Sequence, residues 1–381
     1  MDDIEREREG WRKKAKEVGQ RVVAPLAAEI DAKGEFSFEI ADAFSQAGFL
    51  SLIIPKEYGG MDGDITSFCI VSEEIAYHCA ASAILIIAHT VGTMPIVLGG
   101  TPALKESCLT KLVKERGIVC FCLTEPEAGS DAASIRTKAV LKGDYYLLNG
   151  RKVFITNGGV SDFYTVFAVT NPEKRMEGIT GFVLEKGTPG LSIGKKEEKM
   201  GFRSSSTTEV ILEDAKVPIT QRIGEEGVGW WLMMRTLNRS RPAIGAQAVG
   251  LAQGALDYVI QFGQEKGWFR RRDENLLALS ALADMAIEIE AARALVYKSA
   301  MMMDEKMKGT PVQMFSAMSK YFASDVAMKV TTDAVQLLQW EGLTRNHPVE
   351  RMMRDAKLIQ IFEGTNQIQR MVIAHTLLKS R

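Results

Sequence analysis

The spacing of hydrophobic residues along the chain changes twice. From the N-terminus to about Arg116, apolar residues recur three and four positions apart, which is the period of a helix with one buried face. The segment Pro-Lys-Glu-Tyr-Gly-Gly at 55–60 interrupts this pattern and predicts a loop. The predicted helices are Glu5–Ala32, Phe38–Ala47, Thr66–Ala88 and Leu104–Glu115.

Between Gly117 and about Pro218 the apolar spacing falls to two, and β-branched and aromatic residues become frequent. This alternation predicts strands that bury one face. The pair Asn149-Gly150 is a hairpin-turn signal between two of them. The predicted strands are Tyr145–Leu148, Val153–Ile155, Phe163–Val169, Gly181–Leu184 and Glu209–Leu212.

The helical spacing returns at Gly229 and persists to the end of the chain. Two long runs, Leu276–Met302 and Met314–Trp340, have the apolar spacing of a helical bundle. The sequence therefore predicts an α+β multidomain fold. Its expected parts are a helical N-terminal domain at 1–116, a central β domain at 117–223 and a C-terminal helical bundle at 224–381.

Composition and charge narrow the possible functions. The 381 residues include 47 Lys and Arg against 48 Asp and Glu, and this balance argues against a nucleic-acid-binding surface. The five cysteines and four histidines show no metal-ligand spacing, so no metal site is predicted. Cys120 and Cys122 alternate in a predicted strand, and we expect both to be buried, as in proteins of a reducing compartment.

We expect no membrane insertion. The run that comes closest to a membrane span, Ala80–Gly99, contains His89, Thr90 and Pro95. The N-terminal residues are charged and lack the apolar core of a signal peptide. These features predict a cytoplasmic protein.

A single carboxylate near the end of the chain is a candidate catalytic group. Glu363 lies between the apolar pair Ile361-Phe362 and the step Gly364-Thr365, where one helix can end and another begin. Apolar neighbours desolvate a carboxylate and raise its pKa, which suits a general base near neutral pH. Gly364 allows a ligand to approach the backbone, and Thr365 can cap the next helix. An ordinary helix corner with a solvated glutamate is the alternative interpretation.

Two further segments place hydroxyl groups or glycines at the ends of predicted strands. There, exposed N–H groups and hydroxyls can bind a planar cofactor with polar edges. Taken singly, each segment is also a common strand-to-turn junction. The segments are Phe-Cys-Leu-Thr-Glu-Pro-Glu-Ala-Gly-Ser-Asp at 121–131 and Lys-Val-Phe-Ile-Thr-Asn-Gly-Gly at 152–159.

These two segments, a third segment, Gly-Phe-Arg-Ser-Ser-Ser-Thr at 201–207, and the Glu363 segment together resemble, in their order along the chain, the acyl-CoA dehydrogenase family. The resemblance covers essentially the whole chain. The resemblance implies a helical N-terminal domain, a central β-sheet or barrel-like domain and a C-terminal four-helix bundle, assembled as a homotetramer. It implies oxidation of an acyl-CoA to a 2,3-enoyl-CoA, with FAD accepting hydride at N5 and electron-transfer flavoprotein as the partner.

The resemblance also implies roles for individual residues. Glu363 corresponds to the base that takes the α-proton, and its backbone N–H to a donor that polarises the thioester carbonyl. Some relatives carry the base elsewhere, at the position of Ser240, and serine cannot act as that base. The residues implied to contact the acyl-CoA are Ser130, Asn238, Arg241 and Gly364. Those implied to contact FAD are Phe121, Leu123, Thr124, Gly129, Ser130, Phe154, Ile155, Thr156, Gln336, Thr365 and Gln367.

Two elements that hold the FAD pyrophosphate and adenosine across subunits in the family are altered here. Where the family has Arg-x-x-Phe-Gly, this chain has Glu265 and Trp268. Where it has Gln-x-x-Gly-Gly, Gln336 is followed by Gln339 and Trp340. An acid repels a pyrophosphate, and a tryptophan side chain occupies space that glycine leaves open.

These substitutions leave several interpretations open. FAD binds in a modified pose, with Arg270–Arg272 supplying the missing contacts, or another chain of a hetero-oligomer supplies them. If the flavin site is lost, Glu363 remains available for enolate chemistry as a hydratase, isomerase or carbon–carbon lyase, or the chain supports a catalytic partner. The side chains that can wall an apolar or cyclic acyl group are Ile84–Ile87, Trp230, Trp231 and Phe362.

Overall fold

A computed structural model describes residues 3–268, 276–305, 307 and 310–379. The first helices are α1 Asp3–Val18, α2 Ala24–Lys33, α3 Phe38–Gln46, α4 Ile65–His78, α5 Ala80–Gly99 and α6 Pro102–Glu115. The strands are β1 Val119–Cys122, β2 Lys138–Lys142, β3 Tyr145–Thr156, β4 Phe163–Val169, β5 Ile179–Glu185, β6 Leu191–Lys196, β7 Thr207–Pro218 and β8 Arg222–Ile223. The last helices are α7 Gly229–Glu265, α8 Leu276–Asp304, α9 Thr310–Leu338, α10 Val349–Ile359 and α11 Asn366–Lys379.

The order of helices, strands and helices confirms the predicted fold class. The strands form one mixed sheet in the order β6-β7-β3-β2-β4-β5-β8, and β1 pairs parallel to β4. Cys120 and Cys122 point to the same side of β1 and are buried, with their Sγ atoms 3.5 Å apart, as predicted. The domain boundaries at 116 and 223 stay predictions.

The predicted single helix Thr66–Ala88 is wrong, because the chain is extended at Cys79, with φ −159° and ψ 107°. Helix α4 therefore ends at His78 and α5 begins at Ala80. Cys79 is buried and apolar, so the hydrophobic pattern runs through the break without a change. The predicted helix Glu5–Ala32 is α1 and α2 joined by a π-helical turn, Gly19–Val23.

The hairpin turn predicted at Asn149-Gly150 is also wrong. Strand β3 continues through these residues, and the register against β7 shifts between Leu148 and Gly150. The turn that joins β2 to β3 lies earlier, at Gly143, where φ is +66°. Pairing with β7 overrides the local turn preference. A β-bulge accommodates the extra residue that β7 has between Leu212 and Ala215.

Helix α7 is the central element of the helical core and packs against α4, α5, α8 and α9. Helix α5, Ala80–Gly99, is long and apolar enough to cross a membrane by length and composition, but most of it is buried inside this structure. Helices α9, α10 and α11 meet α7 at the turn that carries Glu363.

Candidate active site

Glu363 lies in the tight turn between α10 and α11. Its φ is +54° and that of Gly364 is +88°, so both residues are in the left-handed region. A non-glycine residue in this region carries strain of about 1–3 kcal/mol, and such strain clusters at functional sites. Thr365 Oγ1 accepts a hydrogen bond from Ile368 N at 3.3 Å, which caps α11 as predicted.

The Glu363 carboxylate is bonded from α7. Ser240 is fully buried, and its Oγ donates to Glu363 Oε2 at 2.5 Å. Burial raises the pKa of Glu363, and the opposing influences are the Ser240 hydrogen bond and the charges of Arg241 and Lys320. The carboxylate is thus the desolvated acid that the sequence predicted, held by a residue 123 positions away.

Two buried cations lie beside this carboxylate. Lys320 Nζ donates to Gly364 O and Asn366 Oδ1, each at 2.9 Å, and burial lowers the pKa of Lys320 to about 7. Arg241 donates to Asn238 Oδ1 at 2.8 Å, and burial lowers its pKa to about 10. Arg241 Nε is buried and has no hydrogen-bond partner within the described residues.

In the backbone of the turn, the carbonyl oxygens of Glu363 and Gly364 are hydrogen-bonded, whereas the Glu363 N–H has no acceptor among the described residues. Gln369 Nε2 donates to Glu363 O at 3.3 Å and to Gly364 O at 3.0 Å. The described residues supply no hydrogen-bond acceptor for the Glu363 N–H. Within the described part of the chain, Glu363 therefore combines a desolvated carboxylate with a backbone N–H that has no acceptor.

The first two strand-end segments are joined by a buried ion pair. Lys152 Nζ lies 2.8 Å from Glu125 Oε1, and both side chains are buried. The same Nζ donates to Leu123 O at 3.1 Å, and Val153 N donates to Thr124 O at 2.9 Å. The predicted FAD residues Leu123 and Thr124 therefore lie directly beside the start of the 152–159 segment.

Phe154 is the most unusual residue of that segment. Its φ is +55°, and its side chain is 62% exposed, within a shift of the β3–β7 register between Lys152 and Ile155. Ile155 points to the opposite side and is buried in the sheet core. A phenyl ring held outward by a left-handed backbone offers a flat apolar surface next to Thr156.

The same contacts continue to the Glu363 turn. Asn157 N donates to Ser206 O at 2.7 Å, which joins the second segment to the third. In the third segment, Phe202 N donates to Asp355 Oδ1 at 2.6 Å, and the Phe202 ring lies 5.7 Å from that of Phe362. All four motif segments are therefore neighbours in space.

Other predicted residues lie further from this centre. Gly129 and Ser130 are exposed in the turn after β1, while Phe121 is partly buried against Phe167. Gln367 lines a groove of about 560 Å³ between α9, α10 and α11. Gln336 is exposed near the end of α9. It lies twelve residues, or about 18 Å along the helix, past Ser324, which is hydrogen-bonded to Asn366 beside the Glu363 turn.

The residues predicted to depart from the family pattern share another corner. Glu265 ends α7, and Trp268 packs on Phe262 with ring centroids 5.4 Å apart. Gln339 has a φ of +57°, and Trp340 is 70% exposed. Lys266 joins the two groups through an ion pair with Glu341 at 2.9 Å. The prediction for Arg270–Arg272 concerns residues outside the described ranges.

Sequence reasoning missed Lys320 and the partnership of Ser240 with Glu363. A charged residue in the apolar face of a bundle helix was the available signal for Lys320, because a buried lysine requires partners. Ser240 was considered as a base and rejected, and no local pattern indicated its contact with Glu363. Sequence reasoning likewise gave no role to Asp355, whose Oδ1 accepts a hydrogen bond from Phe202 N.

The donor set beside Phe154 fits the ring end of FAD. The hydroxyls of Thr124 and Thr156 are partly accessible and make no hydrogen bond within the described residues. A flavin ring requires an apolar face and hydrogen-bonding groups along its edge, and these three side chains supply both kinds of contact.

Sequence models of acyl-CoA dehydrogenases match this chain in three parts: the N-terminal domain at residues 5–116, the middle domain at 120–215 and the C-terminal domain at 227–378. The chain is 45% identical over 375 residues to the probable acyl-CoA dehydrogenase FadE25 of Mycobacterium tuberculosis, covering 98% of this chain and 96% of that protein. It is 44% identical over 380 residues to cyclohex-1-ene-1-carbonyl-CoA dehydrogenase of Syntrophus aciditrophicus, covering 99% and 91%.

A solved structure leads to the same family. Butyryl-CoA dehydrogenase from Megasphaera elsdenii is similar with a TM-score of 0.94 and 41% identity, over 99% of both chains. The fold, the Glu363 turn and the matches in all three parts agree, and the chain belongs to the acyl-CoA dehydrogenase family of FAD-dependent oxidoreductases.

Proposed function

We propose that this protein oxidises an acyl-CoA thioester to the 2,3-enoyl-CoA, with Glu363 as the base that removes the α-proton. The observation that carries the proposal is the combination, on Glu363, of a desolvated carboxylate and a free backbone N–H in a left-handed turn. FAD, when bound, supplies the hydride acceptor for the β-hydrogen.

The α-proton of a thioester is weakly acidic, so its removal requires both a base and a donor to the developing enolate oxygen. The raised pKa of Glu363 strengthens the base at neutral pH. The Glu363 N–H supplies the donor, and Gly364 leaves room for the thioester beside it. Ser130, Asn238 and Arg241 contact the CoA part of the substrate in this proposal.

The cofactor residues of the proposal fall into two groups. Thr124, Phe154 and Thr156 contact the ring end, supported by the neighbouring segments that the Lys152–Glu125 pair joins. Thr365, Gln367 and Gln336 contact the remainder of FAD. The other residues assigned to FAD are Phe121, Leu123, Gly129, Ser130 and Ile155.

The acyl group of the proposed substrate is apolar and short or alicyclic. Residues Ile84–Ile87 lie in the buried part of α5, and Phe362 is partly buried beside the base. Trp231 is 48% exposed and stacks with Arg235, so it is a poorer candidate for a pocket wall. The two relatives named for butyryl-CoA and cyclohex-1-ene-1-carbonyl-CoA support this choice. The proposal also includes assembly as a homotetramer and transfer of the electrons to an electron-transfer flavoprotein.

Colour and turnover test this function together. The purified protein should be yellow, and butanoyl-CoA or cyclohexanecarbonyl-CoA should bleach it without oxygen. Glu363→Gln should stay yellow and bind the acyl-CoA, but lose about 10²–10⁴-fold in turnover, because the base is gone. Unchanged turnover would exclude Glu363 as the base. A colourless protein that still converts an acyl-CoA would favour a hydratase, isomerase or lyase.

A further inference from the structure

We infer that Ser240 is a positioning residue that follows the protonation state of Glu363: its hydroxyl donates to Oε2 and favours the ionised carboxylate before proton abstraction, and this hydrogen bond weakens once the carboxylic acid has formed. This inference rests on the proposed function, because it assigns a partner to the same base.

The geometry around Ser240 Oγ offers two acceptors to a single proton. Oγ lies 2.5 Å from Glu363 Oε2 and 3.2 Å from Leu237 O, one turn back in α7. A hydroxyl has one hydrogen to donate and two lone pairs that accept. Ser240 therefore donates to one of these two oxygens at a time.

The two arrangements correspond to the two states of the base. When Glu363 is ionised, Ser240 donates to Oε2, which is the stronger choice because charge-assisted hydrogen bonds are stronger than neutral ones. With Oε2 held by Ser240, Oε1 is the oxygen left to take the α-proton. Once the proton is on Oε1, Oε2 is a neutral carbonyl oxygen and a weaker acceptor, and the Ser240 proton can turn to Leu237 O. Ser240 therefore stabilises the base more than its conjugate acid.

The local structure of α7 supports this role. Pro242 has no N–H to donate to Asn238 O, and Ser316 Oγ donates to that carbonyl instead at 2.7 Å. Helix α9 thus completes the hydrogen bonding of this turn of α7. Ser240 is completely buried there, so water does not replace its hydroxyl.

Charged groups from two neighbouring helices also face Glu363. Arg241 of α7 and Lys320 of α9 both favour its ionised form, and Asp325 of α9 faces Lys320. None of these groups is altered by a change at Ser240. A Ser240 substitution therefore isolates the contribution of the hydroxyl.

The test is the pH profile of kcat/KM for butanoyl-CoA with ferrocenium as electron acceptor, because this profile reports the base in the free enzyme. Ser240→Ala removes the donor to the ionised carboxylate, so the acidic limb should move to higher pH by about one unit. On the acidic side, kcat/KM should fall about tenfold. Ser240→Thr keeps the hydroxyl and should return the limb to its original position.

Ser319→Ala is the matched control. Ser319 is equally buried on α9, and its Oγ donates to Ser316 O at 2.9 Å without touching a carboxylate. Its removal should leave the limb unmoved. Ser240→Cys keeps a weak donor and should give a smaller shift in the same direction, which decides the question if Ser240→Ala does not fold.

An unmoved acidic limb in both Ser240→Ala and Ser240→Cys would overturn the inference while leaving the proposed function intact. An equal shift in Ser319→Ala would also overturn it, because the effect would then follow from general packing. If wild-type enzyme reduces no acceptor with any acyl-CoA, the proposed function fails first, and the inference falls with it.

Discussion

Two parts of helix α9 differ sharply in how they are held. In its first half, Lys320 is completely buried and bonds to Gly364 O and Asn366 Oδ1 beneath the Glu363 turn. Just past its C-terminal end, Gln339 is exposed in a left-handed turn and Trp340 projects with 70% of its surface accessible. One helix therefore joins the buried Glu363 turn to a corner where Gln339 and Trp340 are exposed.

This difference bears on the residues at which the family resemblance implies a departure. A change beneath Glu363 would remove hydrogen bonds from buried polar groups, which is costly. The fold itself tolerates an exposed Trp340 or Glu265, because neither fills the interior. Under the proposed function, the corner that contains Trp340 and Glu265 bears on what the protein binds, and the Glu363 turn on how it reacts.

The largest effect on stability is expected at Lys320. Lys320→Met removes the buried donor shared by Gly364 O and Asn366 Oδ1, which keep their hydrogen bonds from Gln369 Nε2 and Ser324 Oγ, and should lower the free energy of unfolding by about 2–4 kcal/mol. Urea denaturation of the holoenzyme measures this change. Lys329→Met is the control on the same helix: Lys329 is half-exposed and paired with Glu288, so we expect a loss below about 1 kcal/mol. Equal losses would contradict the comparison.

The pH dependence of that loss has a defined sign. Burial lowers the pKa of Lys320 to about 7 from 10.5, so between these values the unfolded state binds the proton more tightly. Stability from this group therefore rises with pH across that window. The difference between wild type and Lys320→Met should be larger at weakly alkaline pH than at neutral pH, and a constant difference would refute the assigned pKa shift.

The smallest effects are expected at the exposed end. Gln339→Gly relieves a left-handed backbone and should raise stability by no more than about 1 kcal/mol. Trp340→Gly should change it by less than about 0.5 kcal/mol, because the ring is exposed. Thermal unfolding of the two variants measures both. A loss of more than about 2 kcal/mol in Trp340→Gly would mean that this corner is held from within as firmly as the Glu363 turn.

The sequence predicted the local features of the site better than its tertiary contacts. The desolvation of Glu363 and the Thr365 cap were both predicted from neighbours in the chain, and both are present. Ser240 and Lys320 come from positions 123 and 44 residues away from the atoms they bind, so no local pattern contained them. The missed break at Cys79 has the same origin, because hydrophobic spacing reports burial and not backbone direction.

A structure with a bound acyl-CoA tests the central claim most directly. In a crystal structure of Glu363→Gln with butanoyl-CoA, we expect the α-carbon about 3–3.5 Å from the side chain of residue 363, the separation of reacting atoms held for transfer. The thioester oxygen should accept a hydrogen bond from the backbone N–H of the same residue. A thioester lying more than about twice that distance from the side chain would contradict the account.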